Sequence, residues 1–249
     1  MDPPDGVQFG PNTCYLNSVY QMLRAVSARH PPTQRHIMDR FRQWKSPFER
    51  ARQEDAHECL MSIYDQLMPD QNDVASPRHG IIRSVVECPT TNESSVVDEP
   101  FWIISLDLHA TLREALKAFR RIERITGENV WLSPKSTTNR MSPLYTTKRL
   151  DIGKWPEGIL YIHMKRFCWP SRTKDTREVS VPMRILRDTL RLVAVIVHHG
   201  SGINGGHYVC CVQYPDGHWY LCNDETVTEI TTADVQSTYI PHAYMVAYA

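Results

Sequence analysis

Long apolar runs are missing from this sequence of 249 residues, and none approaches the 18 residues that suggest a membrane-spanning helix. The first residues, MDPPDGVQ, are polar and do not form a secretory signal. Lysine plus arginine and aspartate plus glutamate each total 28, so the basic excess of a nucleic-acid-binding domain is also missing. These absences predict a protein that has neither nucleic acid nor a membrane as its partner.

Cysteine occurs seven times, and an odd number of thiols cannot all pair within one chain. The chain also has ample material for a core, since 41% of its residues are apolar. We therefore expect free, mostly buried thiols in a reducing compartment, either the cytoplasm or the nucleus.

Apolar side chains recur at helical spacing in the first third of the sequence. The predicted helices run from Leu16 to the prolines at 31 and 32, over residues 35–44 and over residues 55–67. Asn12 or Thr13 is the predicted N-cap of the first helix. Asp55 and Glu58, three residues apart, are the predicted capping box of the third.

The rest of the chain is predicted to be mainly β-structure, because β-branched and aromatic residues cluster in short runs. The predicted strands cover residues 81–87, 101–108, 158–167, 190–199, 207–214 and 218–224. One helix, residues 111–125, interrupts them, and residues 126–150 are predicted to form short strands and a loose loop. Helices followed by mostly antiparallel strands predict an α+β fold.

The stretch FGPNTCYLNSVYQML places Cys14 where irregular chain becomes a helix. A thiol at a helix N-terminus lies beside the positive end of the helix dipole, which lowers its pKa and favours the nucleophilic thiolate. The alternative is a small, inert, buried side chain. A catalytic role for Cys14 therefore requires a base, and a group that orients the base, elsewhere in the chain.

Both groups are present in GINGGHYVCCVQYPDGHWYLCNDETV, where His207 begins a predicted strand and PDG predicts a hairpin turn. One register of the hairpin pairs Tyr214 with His218, and a two-residue loop would shift the pairing by one residue. In either register Asn223 and Asp224 return to within about two residues of His207 on the neighbouring strand. The sequence thus predicts a cysteine, a histidine and an asparagine or aspartate in one site.

Four stretches resemble the motifs of the ubiquitin-specific protease family of deubiquitinating enzymes. They are PNTCYLNSVYQML, RQEDAHECL, PEGILYIHMKRF and GHYVCCVQYPDGHWYLCNDETV, in the family's order. The resemblance implies a papain-like cysteine protease, with residues 1–249 as a single catalytic domain. Its helical thumb would span about 1–78 and its antiparallel palm about 79–249, with short β fingers around 81–158 that grip ubiquitin.

The resemblance also implies the catalytic roles. Cys14 would be the nucleophile and His207 the general base. Asn223 matches the usual third member of the triad, and Asp224 beside it would be a helper or a substitute. An asparagine can hold the imidazole by accepting a hydrogen bond, although it does not stabilise the imidazolium charge as a carboxylate would.

Members of this family bind the extended, basic C-terminal tail of ubiquitin between thumb and palm. The resemblance implies that Gln53, Asp55, Phe167, Gly206 and Tyr208 contact that tail. For Asp55 the alternative is helix capping, which does not prevent it from facing an arginine. For Phe167 and Tyr208 the alternative is packing in the core.

One departure from the family concerns the oxyanion hole. The family usually has an asparagine five residues before the nucleophile, and here that position is Phe9, which has no side-chain donor. Gln8 would take its place if Pro11 is a one-residue insertion, and Asn12 is the other nearby amide. Loss of such a donor typically lowers the rate by roughly 10²–10³-fold.

A second departure concerns metal, because many relatives hold zinc in the fingers with two Cys-x-x-Cys pairs. Here the matching region has only Cys88, and one thiol does not make a tetrahedral zinc site. Cys210–Cys211 and His198–His199 lack ligand spacing. We predict no metal and no cofactor, and a minimal domain that acts as a monomer.

The leading functional hypothesis is a thiol isopeptidase that removes ubiquitin, or a ubiquitin-like modifier, from proteins. The alternative is a ubiquitin-binding module with the same fold and little or no activity, which the Phe9 departure would favour. A papain-like protease of broad specificity would share the order of the catalytic residues. It would explain neither the QEDAHE nor the KRF motif.

Overall fold

The computed structural model describes residues 4–29, 38, 41–48, 52–67, 80–138, 143–168, 170–202 and 205–249. Half of the helix predicted over residues 35–44, namely residues 35–37, 39 and 40, lies outside this part of the chain, and so do the prolines at 31 and 32. Of that helix, Phe41–Gln43 is described and forms a 3-10 turn. No described helix is long and apolar enough to cross a membrane.

Two of the predicted helices have nearly the predicted bounds. The structure contains α1 (Cys14–Ser27), α2 (Ala56–Leu67), α3 (Leu112–Phe119) and the short α4 (Pro134–Thr138). The N-terminus of α2 is capped by Asp55, whose Oδ1 accepts from the N–H groups of His57 at 2.7 Å and Glu58 at 3.1 Å. This is the aspartate half of the predicted capping box, and the Glu58 half stays a prediction. At α1, Thr13 holds the N-cap position, but its hydroxyl donates to the Gly10 carbonyl instead of capping the helix.

The helix predicted over residues 111–125 is too long. Thr111 caps α3 as an N-cap should, by accepting from the N–H of Glu114 at 3.1 Å. The helix ends at Phe119, and residues 123–126 pair with another strand instead. Ile122, counted in the predicted apolar stripe, is 62% exposed. The apolar spacing typical of a helix continues in the sequence past Phe119. The helix nevertheless ends there, because residues 123–126 pair with residues 145–148 as strands.

The described part of the chain contains fourteen strands in two sheets, and every pairing between these strands is antiparallel except that of β3 with β6. The strands are β1 (Gly80–Cys88), β2 (Glu93–Phe101), β3 (Ile103–Asp107), β4 (Glu123–Thr126), β5 (Tyr145–Lys154), β6 (Leu160–Lys165), β7 (Phe167–Cys168), β8 (Thr173–Lys174), β9 (Arg184–Ile185), β10 (Leu190–Gly202), β11 (Gly205–Gln213), β12 (Trp219–Asn223), β13 (Thr226–Ile230) and β14 (Ala243–Tyr248). The small sheet has the order β2-β1-β5-β4. The large sheet follows β13-β12-β11-β10-β14-β6-β3, with β7, β8 and β9 beside it. This is the predicted α+β class.

Several strands were not predicted from the sequence, and β14 is the most central of them. It lies in the middle of the large sheet, between β10 and β6. All six of its residues are buried, so it shows no alternation of apolar and polar side chains. β2 and β13 are also largely missed, since their runs are more polar than those of the core strands. Most of β5 lies in residues 126–150, where short strands were predicted.

The large sheet carries a separate core on each face, and the split follows the alternation of side chains along its strands. In β6, Tyr161 packs on the face that α1 and α2 cover, whereas Leu160 and Ile162 pack on the face that α3 covers. Helix α1 is buried along most of its length and packs against β10 and β11. Its first residue, Cys14, therefore lies near β11, the strand that carries His207.

Candidate active site

Cys14 is the first residue of α1 and only 6% exposed. Cys14 and Tyr208 line the same cleft, so the thiol lies near the residue that follows His207. Burial raises the pKa of the Cys14 thiol, the N–H of Tyr208 opposes this, and the charge of Asp224 raises the pKa further. The expectation that the helix N-terminus leaves Cys14 with a lowered pKa is therefore wrong in this structure, because burial outweighs the dipole.

His207 and Asn223 form a direct hydrogen bond, with 2.6 Å between Nε2 and Oδ1. An amide oxygen only accepts, so Nε2 carries the proton and Nδ1 keeps a lone pair for a proton from another group. The hairpin has the register that pairs Tyr214 with His218, whose backbone groups lie 3.1 Å apart. Asn223 is thus the residue that holds the imidazole.

Asp224, the predicted helper of Asn223, forms hydrogen bonds with Asn17 and Val7. Its Oδ1 accepts from Asn17 Nδ2 at 2.6 Å, and its backbone carbonyl accepts from the N–H of Val7 at 2.9 Å. Asn17 Nδ2 also donates to Gln8 Oε1 at 2.5 Å, while Asn17 Oδ1 accepts from the N–H of Phe9 at 3.2 Å. The Asn17 side chain, which is buried within α1, joins the segment before Cys14 to the turn after Asn223.

Sequence analysis did not identify Asn17 as a site residue. Its signal was weak: a polar residue one turn into a helix, between Leu16 and Ser18. The two predicted oxyanion amides lie on either side of Phe9, whose ring packs against Tyr20 and Phe41. Asn17 takes the carbonyl end of the exposed Gln8 amide, so the Nε2 end is the one left to donate. Asn12 has a left-handed backbone, with φ of 55°.

A cleft of about 180 Å³ begins at Cys14 and contains all five predicted tail-binding residues. Its walls are Cys14, Gln53, Glu54, Asp55, Glu58, Phe167, His198, Gly206 and Tyr208. The structure therefore brings together residues from α1, from the start of α2 and from β7 and β11. Glu54, Glu58 and His198 are wall residues that sequence analysis did not assign.

The capping role of Asp55 is confirmed, because Oδ1 caps α2, while Oδ2 accepts from the Tyr244 hydroxyl at 2.5 Å. Its contact with a bound tail stays a prediction. Phe167 is half-buried, with its ring centroid 5.2 Å from that of His198. Tyr208 is only 5% exposed and packs against Tyr244, so most of its side chain belongs to the core. Asp55, Phe167 and Tyr208 all line the cleft.

Gln53 is bound to the backbone of Gly206 at both ends of its amide. Its Nε2 donates to the Gly206 carbonyl at 2.8 Å, and its Oε1 accepts from the Gly206 N–H at 3.0 Å. This pair ties the segment before α2 to the residue before His207. Gln53 therefore also fixes the strand that carries the imidazole.

The cleft carries negative charge and no cation among its walls. Glu54, Asp55 and Glu58 lie together, and burial, followed by the charges of Asp55 and Glu54, raises the pKa of Glu58. His198 stays neutral, because burial and then the nearby Lys174 lower its pKa to about 4. A narrow cleft of this charge suits an extended peptide with basic side chains.

There is no room for a side chain at Gly206, so its replacement by alanine tests the packing of the site. A Cβ there would lie 2.2 Å from His198 Nε2 and 2.4 Å from the His199 carbonyl oxygen. We expect Gly206→Ala to lower the free energy of unfolding by about 1–3 kcal/mol, because the backbone of β11 must move to relieve the overlap. Thermal unfolding measures this loss.

The neighbouring glycine is the matched control. Among the described residues, a Cβ on Gly205 would meet only Gln53 Oε1, at 3.7 Å, which is an ordinary contact. We expect Gly205→Ala to change the free energy of unfolding by less than about 0.5 kcal/mol. Equal losses in the two variants would contradict the close packing of Gly206 on His198.

Among the described residues, no three His, Cys, Asp or Glu side chains come together as metal ligands. Cys88 is buried beside Ser136, with 3.7 Å between Sγ and Oγ, and Cys210 and Cys211 are buried in strand β11. The absence of a zinc site stays a prediction.

A family model described as ubiquitin carboxyl-terminal hydrolase matches residues 27–248, which is most of the chain. The chain belongs to this family. The match contains His207 and Asn223 and begins after Cys14. It confirms the resemblance to deubiquitinating enzymes on which the sequence analysis relied.

Individual members of the hydrolase family match nearly the whole chain. Ubiquitin carboxyl-terminal hydrolase 17-like protein B of Mus musculus is 28% identical over 99% of this chain and 64% of its own length. Inactive ubiquitin carboxyl-terminal hydrolase 17-like protein 8 of Homo sapiens is 26% identical over 98% of this chain and 55% of its own. The chain thus spans less than two thirds of these relatives.

The fold is that of a solved member of the family. The SAGA DUB module of Ubp8, Sgf11, Sus1 and Sgf73 bound to monoubiquitin contains a chain similar to this one, with a TM-score of 0.77 and 20% identity. The similarity covers 99% of this chain and 69% of that chain. The α+β fold of the hydrolase family is therefore confirmed.

Proposed function

We propose that this protein is a deubiquitinating thiol protease. It hydrolyses the isopeptide or peptide bond after the C-terminal glycine of ubiquitin or of a ubiquitin-like modifier. One observation carries the proposal: Cys14 lines the same acidic cleft as Gly206 and Tyr208, the two residues that flank His207, and His207 is held by Asn223. Membership of the ubiquitin carboxyl-terminal hydrolase family supports it.

In the proposed mechanism His207 acts first as a base. Burial keeps Cys14 protonated at neutral pH, so Nδ1 of His207 takes the thiol proton as the sulfur attacks the carbonyl carbon. The carbonyl oxygen becomes an oxyanion, which amide donors such as the side chain of Gln8 or Asn12 would stabilise together with the Cys14 N–H. Asn223 holds the imidazole in the tautomer that this transfer needs.

The proton then moves to the leaving group. The imidazolium of His207 protonates the lysine amine as the C–N bond breaks, and the modifier stays on Cys14 as a thioester. His207 next takes a proton from water, whose oxygen attacks the thioester carbonyl. The C–S bond breaks, and the proton returns to the Cys14 sulfur.

The acidic cleft is the proposed binding site for the tail of the modifier. Glu54, Asp55 and Glu58 would pair with basic side chains of an extended peptide. A volume of about 180 Å³ leaves little room for side chains beside Cys14, which suits a tail that ends in glycine.

We also propose that the protein works as a monomer in the cytoplasm or nucleus. All seven of its cysteines are free, as a reducing compartment would keep them. Ubiquitinated proteins would be its partners.

Ubiquitin with an electrophilic C-terminus tests the proposed function. We expect one covalent adduct of ubiquitin, located at Cys14 by peptide mass spectrometry, and turnover of ubiquitin with a C-terminal fluorogenic group. An adduct at another thiol, such as the exposed Cys168, would refute the assignment. Ubiquitin affinity without adduct or turnover would identify the protein as a binding module instead.

A further inference from the structure

A second groove lies on the face of the large sheet away from Cys14. It runs between α3 and the segment around β9, and its volume of about 1070 Å³ greatly exceeds that of the catalytic cleft. Its lining is mostly apolar and includes Leu116, Trp155, Leu160, Ile162, Ile185 and Leu186. The proposed hydrolysis uses none of these residues.

One side of this groove is strongly basic. Arg113, Lys117, Arg120 and Arg121 line it, and Glu114 is the one acidic side chain among the lining residues. Arg113 and Lys117 are four residues apart on α3, so they lie one above the other beside the apolar stripe of that helix. Within the described part of the chain none of the four cations forms an ion pair.

The turn that closes the other side has an unusual backbone. Leu186, Arg187 and Asp188 are three successive non-glycine residues with left-handed φ angles of 53°, 57° and 68°. Such conformations are unfavourable for residues with side chains, and they persist where the surrounding structure requires them. Here the turn places Leu186 in the groove wall opposite α3.

We propose that this groove binds a short segment of a partner protein that carries apolar side chains flanked by aspartate or glutamate. The apolar lining would bury the partner's hydrophobic side chains, with Trp155 as an aromatic anchor. The four cations would pair with the flanking carboxylates. The chain as a whole has no net charge, so it does not attract acidic proteins in general. The four cations make a local positive patch, which would give the groove its preference for acidic segments.

The shape of the site argues against other anionic ligands. A membrane binds apolar side chains that protrude into it, whereas here they line a concavity. A nucleic acid contacts cations through its phosphates and makes little use of an aliphatic floor such as Leu160 and Ile162. A peptide segment can bury apolar side chains in the concave lining and also place its carboxylates beside the four cations.

Selection from a random 12-residue peptide library on the immobilised full chain tests the proposal. We expect the selected peptides to combine apolar residues with Asp or Glu. Fluorescence anisotropy of a selected peptide then gives its Kd for each variant. We expect the double variant Arg113→Glu/Lys117→Glu to weaken binding by at least about 10-fold, and replacement of the acidic residues of the peptide by Asn and Gln to do the same.

Arg184→Glu is the matched control, because Arg184 is exposed and precedes Ile185 on β9, so its side chain points to the opposite face. We expect the Kd of the selected peptide for this variant to stay within about 2-fold of its Kd for the unmodified protein. Labelling of Cys14 by the ubiquitin electrophile should be the same in all variants, which shows that they are folded. It also separates this proposal from that of the deubiquitinase activity.

Three results would overturn the proposal. The first is a selection that yields no peptide, or only peptides that bind the double variant equally well. The second is binding to vesicles of phosphatidylcholine and phosphatidylserine that the double variant loses, which would assign the groove to a membrane. The third is dimerisation in sedimentation that Leu116→Asp abolishes, since the groove would then bind a second copy of this chain.

Discussion

Replacement of Cys14 by serine is expected to lower kcat/KM for ubiquitin with a C-terminal fluorogenic group by at least about 10⁴-fold. A hydroxyl is a far weaker acid than a thiol, and burial at this position already raises the pKa of the thiol. His207 would therefore have to deprotonate a group that stays protonated throughout the neutral range. The variant should still bind ubiquitin, because serine is nearly isosteric with cysteine. Steady-state kinetics with a matched binding measurement separate the two effects.

Cys168→Ser is the control for this variant. Cys168 is exposed, lies on β7 and is not among the residues that line the cleft. We expect kcat/KM to stay within about 2-fold of that of the unmodified protein. If Cys168→Ser abolished turnover while Cys14→Ser preserved it, the proposed nucleophile would be wrong.

Replacement of Asn223 by alanine is expected to lower kcat by about 10²–10⁴-fold with little change in KM. The 2.6 Å bond from His207 Nε2 to Asn223 Oδ1 fixes the proton on Nε2. Without that acceptor the ring can rotate or carry its proton on Nδ1, and neither state accepts the thiol proton. Measurement of kcat and KM separately shows whether the loss lies in the chemical step or in binding.

The same hairpin supplies a control histidine. His218 is exposed and pairs with Glu229 across β12 and β13, at 2.6 Å from Nδ1 to Oε1. We expect His218→Ala to leave kcat unchanged within about 2-fold, since an exposed ion pair contributes little to stability. Equal losses of kcat in His218→Ala and Asn223→Ala would show that the hairpin is merely sensitive to substitution. The role assigned to Asn223 would then fail.

The hairpin that carries His207 and Asn223 was predictable because its information is local. A PDG turn between two β-rich runs fixes the register to within one residue, and the structure adopts one of the two registers that the sequence allows. The N-terminus of α2 was predictable for the same reason, since an aspartate caps the N–H groups two and three residues ahead. Short-range hydrogen bonds leave clear marks in a sequence.

Contacts between residues far apart in the sequence are harder to predict, because few local sequence patterns indicate them. The bond between Asn17 and Asp224 joins residues that are distant in the sequence, and nothing around Asn17 indicates that its amide is turned inward. The pKa of Cys14 was predicted in the wrong direction for a related reason. The helix dipole can be inferred from local sequence, whereas burial depends on how β11 packs against α1.

The position of β14 in the middle of the large sheet has a consequence for synthesis. Residues 243–248 leave the ribosome after every other strand of that sheet, yet both β10 and β6 pair with them. Until they emerge, the nascent chain holds two unfilled sheet edges that invite aggregation. We expect the large sheet to close only after residues 243–248 have been synthesised, with chaperones shielding the gap until then.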